Sequence, residues 1–222
     1  MKSDLQIQTD VIDQLKWEPV LNAAEIGVSV KNGVVTLSGI VDVYSKKIAA
    51  ENAAKKVSGV KAVAEDIQVG VSPSFRKSDT EIAETVLHAL KWNTTVPDEK
   101  IKVRVEDGVV SLEGEVEWDY QRTAARNAIE YLTGVRRINN YLTVKPLVTP
   151  SNIRQKISSA FKRSATIDAE KITVDVAGSV VTLTGKVRSF VESQDAVSAA
   201  WSAPGVSEVK NKLEVAEEAY AY

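Results

Sequence analysis

One fourteen-residue pattern occurs three times in this 222-residue chain, and no other feature restricts its folding as much. Ile26-Gly-Val-Ser-Val-Lys-Asn-Gly-Val-Val-Thr-Leu-Ser-Gly39 returns as Ile101-Lys-Val-Arg-Val-Glu-Asp-Gly-Val-Val-Ser-Leu-Glu-Gly114. It returns again as Ile172-Thr-Val-Asp-Val-Ala-Gly-Ser-Val-Val-Thr-Leu-Thr-Gly185. At matching offsets Gly59-Val60 reappears as Gly134-Val135 and Gly205-Val206. The chain is therefore expected to form three tandem units, 3–70, 79–146 and 150–216, joined by short linkers.

The periodicity inside each unit predicts its elements. Ile7, Val11 and Leu15 recur at helical spacing, as do Ile82, Val86 and Leu90, and Ile153, Ile157 and Phe161, so each unit opens with a helix burying one stripe. Asp4, Asp79 and the Pro150-Ser151 pair stand where an N-cap is wanted. Ile26, Val28 and Val30 then alternate, and Val35, Leu37 and Val41 alternate again after Asn32-Gly33. That is a β-hairpin, with type I′ turns at Asn32-Gly33 and Asp107-Gly108 and a II′ turn at Gly178-Ser179. A second helix, rich in alanine (Ala50, Ala53; Ala125, Ala128; Ala196, Ala199), is expected to end at Gly59, Gly134 or Gly205. A third alternating strand follows: Val63, Ile67, Val69 and their counterparts. The fold class is α+β. Each αββαβ unit should be a three-stranded mixed sheet, its last pair parallel, with two helices on one face. Gly39, Gly114 and Gly185 fall at inward positions, where a side chain would hold the covering helix away.

An αββαβ unit carrying Asn-Gly-Val-Val-Thr-Leu-Ser-Gly, an alanine-rich second helix and Gly-Val before the last strand resembles the BON domain, named for bacterial osmotically induced and nodulation proteins. Three copies cover nearly the whole chain. The resemblance implies non-catalytic modules, often of the bacterial envelope, associated with phospholipid and osmotic stress. The motif residues it carries over, Gly33, Gly39, Gly59, Gly108, Gly114, Gly134, Gly185 and Gly205, are structural.

The residue inventory narrows the chemistry further. With no cysteine there is no disulfide, thiolate site or cysteine nucleophile, and a single histidine, His88, leaves no multi-histidine metal site. His88 lies off the apolar stripe and should face solvent. Glu113, Glu115 and Glu117 alternate on one side of a strand, the pattern of a solvated sheet face. Asn140 and Asn211, which copy one replaces with Glu65, are expected to satisfy backbone groups at the sheet end. No catalytic residue, metal or cofactor is assigned, and the chain is read as not an enzyme, with an enzyme of unrecognised site or a small-ion or stress-sensing module as alternatives.

The candidate contact residues are aromatic and basic. Trp17 and Trp92 end the first helices of two copies, and their repetition predicts a structural plug at the helix end, with partner contact as the alternative. Trp118 and Tyr120 open the second helix of copy two beside Arg122 and Arg126, a set suited to an anionic lipid surface or, more simply, to an exposed helix with an Arg126 to Glu130 pair. Trp201 stands where the other copies have Lys55 and Glu130, and Tyr131 where they have Lys56 and Ser202. Both rings should leave their own cores and mark surfaces used between copies, between chains or with a partner, packing between copies being the first expectation.

The expected partner is an anionic phospholipid surface or another protein, with self-association open. Nucleic acid is not expected, because 28 basic residues are balanced by 30 acidic ones. No apolar run reaches the roughly 20 residues of a transmembrane helix, and the start shows no signal peptide. The expected location is the cytoplasm, or the periplasm if a leader was removed.

Overall fold

Each unit repeats the order helix, hairpin, helix, strand. The computed structural model describes residues 2–70, 77–146 and 152–216. The first unit comprises α1 (Asp4–Trp17), β1 (Ile26–Lys31), β2 (Val34–Val41), α2 (Tyr44–Lys55) and β3 (Ala62–Val69). The second comprises α3 (Asp79–Trp92), β4 (Ile101–Glu106), β5 (Val109–Val116), α4 (Asp119–Ile129) and β6 (Arg137–Val144). The third comprises α5 (Ile153–Arg163), β7 (Ile172–Ala177), β8 (Val180–Val187), α6 (Phe190–Trp201) and β9 (Glu208–Val215).

Three separate sheets result, each with the second strand in the centre, antiparallel to the first and parallel to the third. A parallel pair needs a crossover, which the second helix supplies. The helical stripes read from the sequence are buried, in the same apolar clusters as Val35, Leu37 and Val41 or their counterparts. The hairpin turns follow their residues: Asn32 and Gly33 have φ of 54° and 78°, Asp107 and Gly108 49° and 71°, whereas in the third turn only Gly178, at 62°, is positive.

Three expectations about local structure are corrected. The N-caps of α1 and α3 are Ser3 and Ser78, each in a capping box with Gln6 or Glu81. Asp4 and Asp79 reach instead across to the hairpin, accepting the backbone N–H groups of Asn32 and Gly33 (2.7 and 2.9 Å) and of Asp107 and Gly108 (2.8 and 2.9 Å). The third pair, Pro150-Ser151, lies outside the described residues, and α5 begins after Asn152.

The second helices stop at Lys55, Ile129 and Trp201, short of the glycines. Tight bonds of one residue to the third before it, such as Lys56 N–H to Ala53 and Val60 N–H to Val57, carry the chain on to Gly59. The inward glycines yield to backbone rather than to the helix: a Cβ on Gly39, Gly114 or Gly185 would lie 2.1 Å from the carbonyl oxygen of Glu25, Lys100 or Lys171, just before the first strand.

The buried residues of units one and two form one continuous apolar cluster, against which Phe190 and Trp201 of the third unit pack. The third unit keeps its own cluster around Ile157, Phe161 and Leu183, and Trp201 touches that one too.

Candidate functional site

The junction of α4 and α6 gathers four of the residues singled out from the sequence. Trp118 precedes α4 in extended backbone, and the Gln121 side chain fixes this entry by accepting the N–H groups of Glu117 and Trp118 at 2.9 and 3.1 Å. Trp118 and Tyr120 flank Asp119, and their rings stack with centroids 6.5 Å apart and planes 27° from parallel. One turn along, Arg122 pairs with the Asp119 carboxylate. Its guanidinium lies 4.5 Å from the centre of the Trp201 ring, a cation–π contact between units two and three.

Trp201 is aimed this way because Ala196 and Ala200 are the residues of α6 that face its own sheet. Between the helices lies a cavity of about 720 Å³, completed by Thr123, Ala124, Asn127, Ser198 and Ser202. The two charges at the junction are engaged with each other, so the remaining lining is aromatic and neutral polar.

The other candidates stand apart from this junction. Arg126 pairs with Glu130 at 3.9 Å. Tyr131 is 70% exposed and so does not pack between copies as Trp201 does, which leaves contact with another chain or a partner for this ring. Trp17 and Trp92 plug nothing: they are 82% and 83% exposed. Each follows the last stripe residue, Leu15 or Leu90, by two positions, or about 200° around the helix, and so points away from the core.

His88 is exposed, as are Glu113 and Glu115. Lys145 meets Glu115 and Lys100 meets Glu117, both at 3.1 Å, on a solvated sheet face. Among the described residues, no three His, Asp or Glu side chains gather as metal ligands would.

The strand position shared by Glu65, Asn140 and Asn211 is satisfied in two units. Asn140 donates to the Arg122 carbonyl at 2.9 Å and accepts the Leu142 N–H at 3.2 Å, while Asn211 donates to the Ser193 hydroxyl and accepts the Leu213 N–H, both at 3.0 Å. In the first unit Glu65 Oε1 is buried with no hydrogen-bond partner among the described residues. Burial, then the neighbouring Glu51 carboxylate, push the Glu65 carboxyl above the usual range, and Lys47, 3.7 Å away, only partly offsets them. A carboxyl raised by folding stabilises the fold only while protonated, so its contribution is lost as pH rises through the folded value. Glu65→Asn is therefore expected to raise the melting temperature at pH 7 by a few degrees, with the gain shrinking at pH 4. Thermal unfolding followed by circular dichroism checks this, and an unchanged or lower value at pH 7 contradicts it.

Two features escaped the sequence reading. The turn clamps of Asp4 and Asp79 depend on residues 28 and 29 positions away. Glu192, 3% exposed, accepts N–H groups from Asp168 and Arg188, both at 2.7 Å, as well as the Arg188 guanidinium. Its signal was available: Ser189 and Glu192 stand three apart at the helix start, the capping spacing.

Comparison with known proteins agrees with this architecture. The BON domain family model matches residues 3–71, 78–146 and 149–217. The osmotically-inducible protein Y of Escherichia coli (strain K12) is 30% identical over 129 residues, 56% of this chain and 64% of that protein, so less than two thirds of the relative is spanned. Two structures of CdsD, a structural protein of the type III secretion system of Chlamydia trachomatis, align at TM-scores of 0.27. One is 16% identical and covers 94% of this chain and 92% of its own; the other, of the C-terminal domain, is 14% identical and covers 97% and 100%. At such scores the likeness says nothing about how this chain's units are arranged.

Proposed function

This chain belongs to the BON domain family, and we propose on that basis that it is a non-catalytic, stress-related binding or scaffolding protein that docks on anionic phospholipid surfaces. The stress relation is supported by the likeness to an osmotically inducible protein.

The observation that carries the lipid reading is the repeated exposure of Trp17 and Trp92. Each is a large amphipathic ring at the end of a first helix, preceded by a lysine, Lys91 or Lys16, the latter in an exposed pair with Asp13 that solvent screens. Indole rings partition to the boundary between headgroups and acyl chains, and an adjacent ammonium favours anionic lipid. The net charge of −2 supplies no long-range attraction, so local contacts of this kind have to dominate.

Co-sedimentation with phosphatidylglycerol and phosphatidylcholine vesicles at two salt concentrations tests the proposal. The chain is expected to pellet with the anionic vesicles in a salt-sensitive manner, and Trp17→Ala with Trp92→Ala to weaken this by roughly tenfold. Absence of pelleting, or pelleting that the double substitution leaves unchanged, overturns it.

A further inference from the structure

We propose that the cavity between α4 and α6 binds an uncharged saccharide of one or two rings. At about 720 Å³ it falls within the roughly 300–1,000 Å³ of small-molecule sites, and it exists only because two units of the chain are docked.

Trp118 and Tyr120 both line the cavity, with their rings stacked against each other at 27°. Their negative π faces attract the partly positive C–H groups of a pyranose ring. Around these rings the Thr123 hydroxyl, the Asn127 amide and the Ser198 hydroxyl are exposed and make no hydrogen bond to other described residues, which leaves donors and acceptors for sugar hydroxyls.

The charges argue against the other ligand classes. A quaternary ammonium needs an open ring face far from positive charge, and the Trp201 face is already covered by the Arg122 guanidinium. An anion would need a free cation here, and Arg122 is paired with Asp119. A neutral polyhydroxylated ligand loses nothing to either.

Amide and side-chain NMR spectra of the full chain, titrated with maltose, cellobiose and N,N′-diacetylchitobiose, test the site. At least one disaccharide is expected to give saturable shifts centred on the Trp118 indole, the Asn127 side chain and Ser198, with a dissociation constant on the order of 1 mM. Trp118→Ala should weaken it by about tenfold, and Ser198→Tyr, which fills the cavity from an exposed position, by at least about as much. Neither substitution should alter vesicle binding, which rests on Trp17 and Trp92, so the two proposals fail separately. The saccharide assignment is overturned by the absence of saturable shifts with all three disaccharides, by shifts elsewhere on the chain, or by choline or a decaproline peptide saturating the cavity in their place.

Discussion

A single methyl group at position 114 is expected to destabilise the second unit severely. Gly114 holds φ at 142°, and a Cβ there would sit 2.1 Å from the Lys100 carbonyl oxygen, a backbone atom that the pairing of Ile101 with Gly114 holds in place. The far end of a flexible side chain could move aside, but this carbonyl cannot move without breaking the β4–β5 register. Gly114→Ala therefore combines a disfavoured backbone conformation with a clash, for a loss of about 4 kcal/mol, a large share of the roughly 5–15 kcal/mol of a whole domain.

The control is Gly178→Ala. Gly178 also has positive φ, 62°, but nothing lies within 4 Å of its added Cβ, so only the conformational cost of about 1 kcal/mol remains. Circular dichroism melts of the two variants should differ by on the order of 10 °C. Equal losses would show that backbone conformation alone, and not the close approach to Lys100, makes glycine necessary.

Removing the Glu192 carboxylate is the second large expected effect. It closes the start of α6 onto the preceding loop by accepting the backbone N–H groups of Asp168 and Arg188 and the guanidinium of Arg188. In the second unit Gln121 takes the corresponding part with its single amide oxygen, which serves two backbone donors. Glu192→Ala leaves its donors without their acceptor in a buried setting and is expected to lose about 3 kcal/mol from the third unit. Glu192→Gln, which can still accept from the backbone, is expected to lose about 1 kcal/mol.

The pH dependence separates this from simple loss of packing. Burial alone would raise the Glu192 carboxyl, but the hydrogen bonds from the Arg188 side chain and from the two backbone groups outweigh it and hold the carboxyl below the usual range. A group lowered by folding contributes stability above its unfolded value and loses it as pH falls through the folded one. The difference between the native chain and Glu192→Ala should thus be largest near pH 7 and shrink below about pH 4. Denaturant unfolding at a series of pH values measures it, and a difference that stays constant into acid contradicts the account.

What this chain's sequence determined alone is what neighbouring residues decide among themselves. Stripes such as Ile7, Val11 and Leu15 specify a helix face because residues four apart share it. Asn32-Gly33 and Gly178-Ser179 specify turn types because only certain residues accept positive φ. Three copies of that local information, in one order, were sufficient for the αββαβ unit and its family. The tertiary structure decided the rest, because it concerns residues distant in the chain. Gly114 is glycine on account of Lys100, and Asp79 serves a hairpin 28 residues on. Whether a tryptophan is exposed also depends on what another unit brings to it. Trp92 meets nothing large and stands in solvent, whereas Trp201, which packs against its own core and against that of units one and two, lies under Arg122, and the cavity between α4 and α6 exists only through that meeting. Periodicity can say that a ring leaves its own core, but the surface it then finds is a property of docked units and has no period to read.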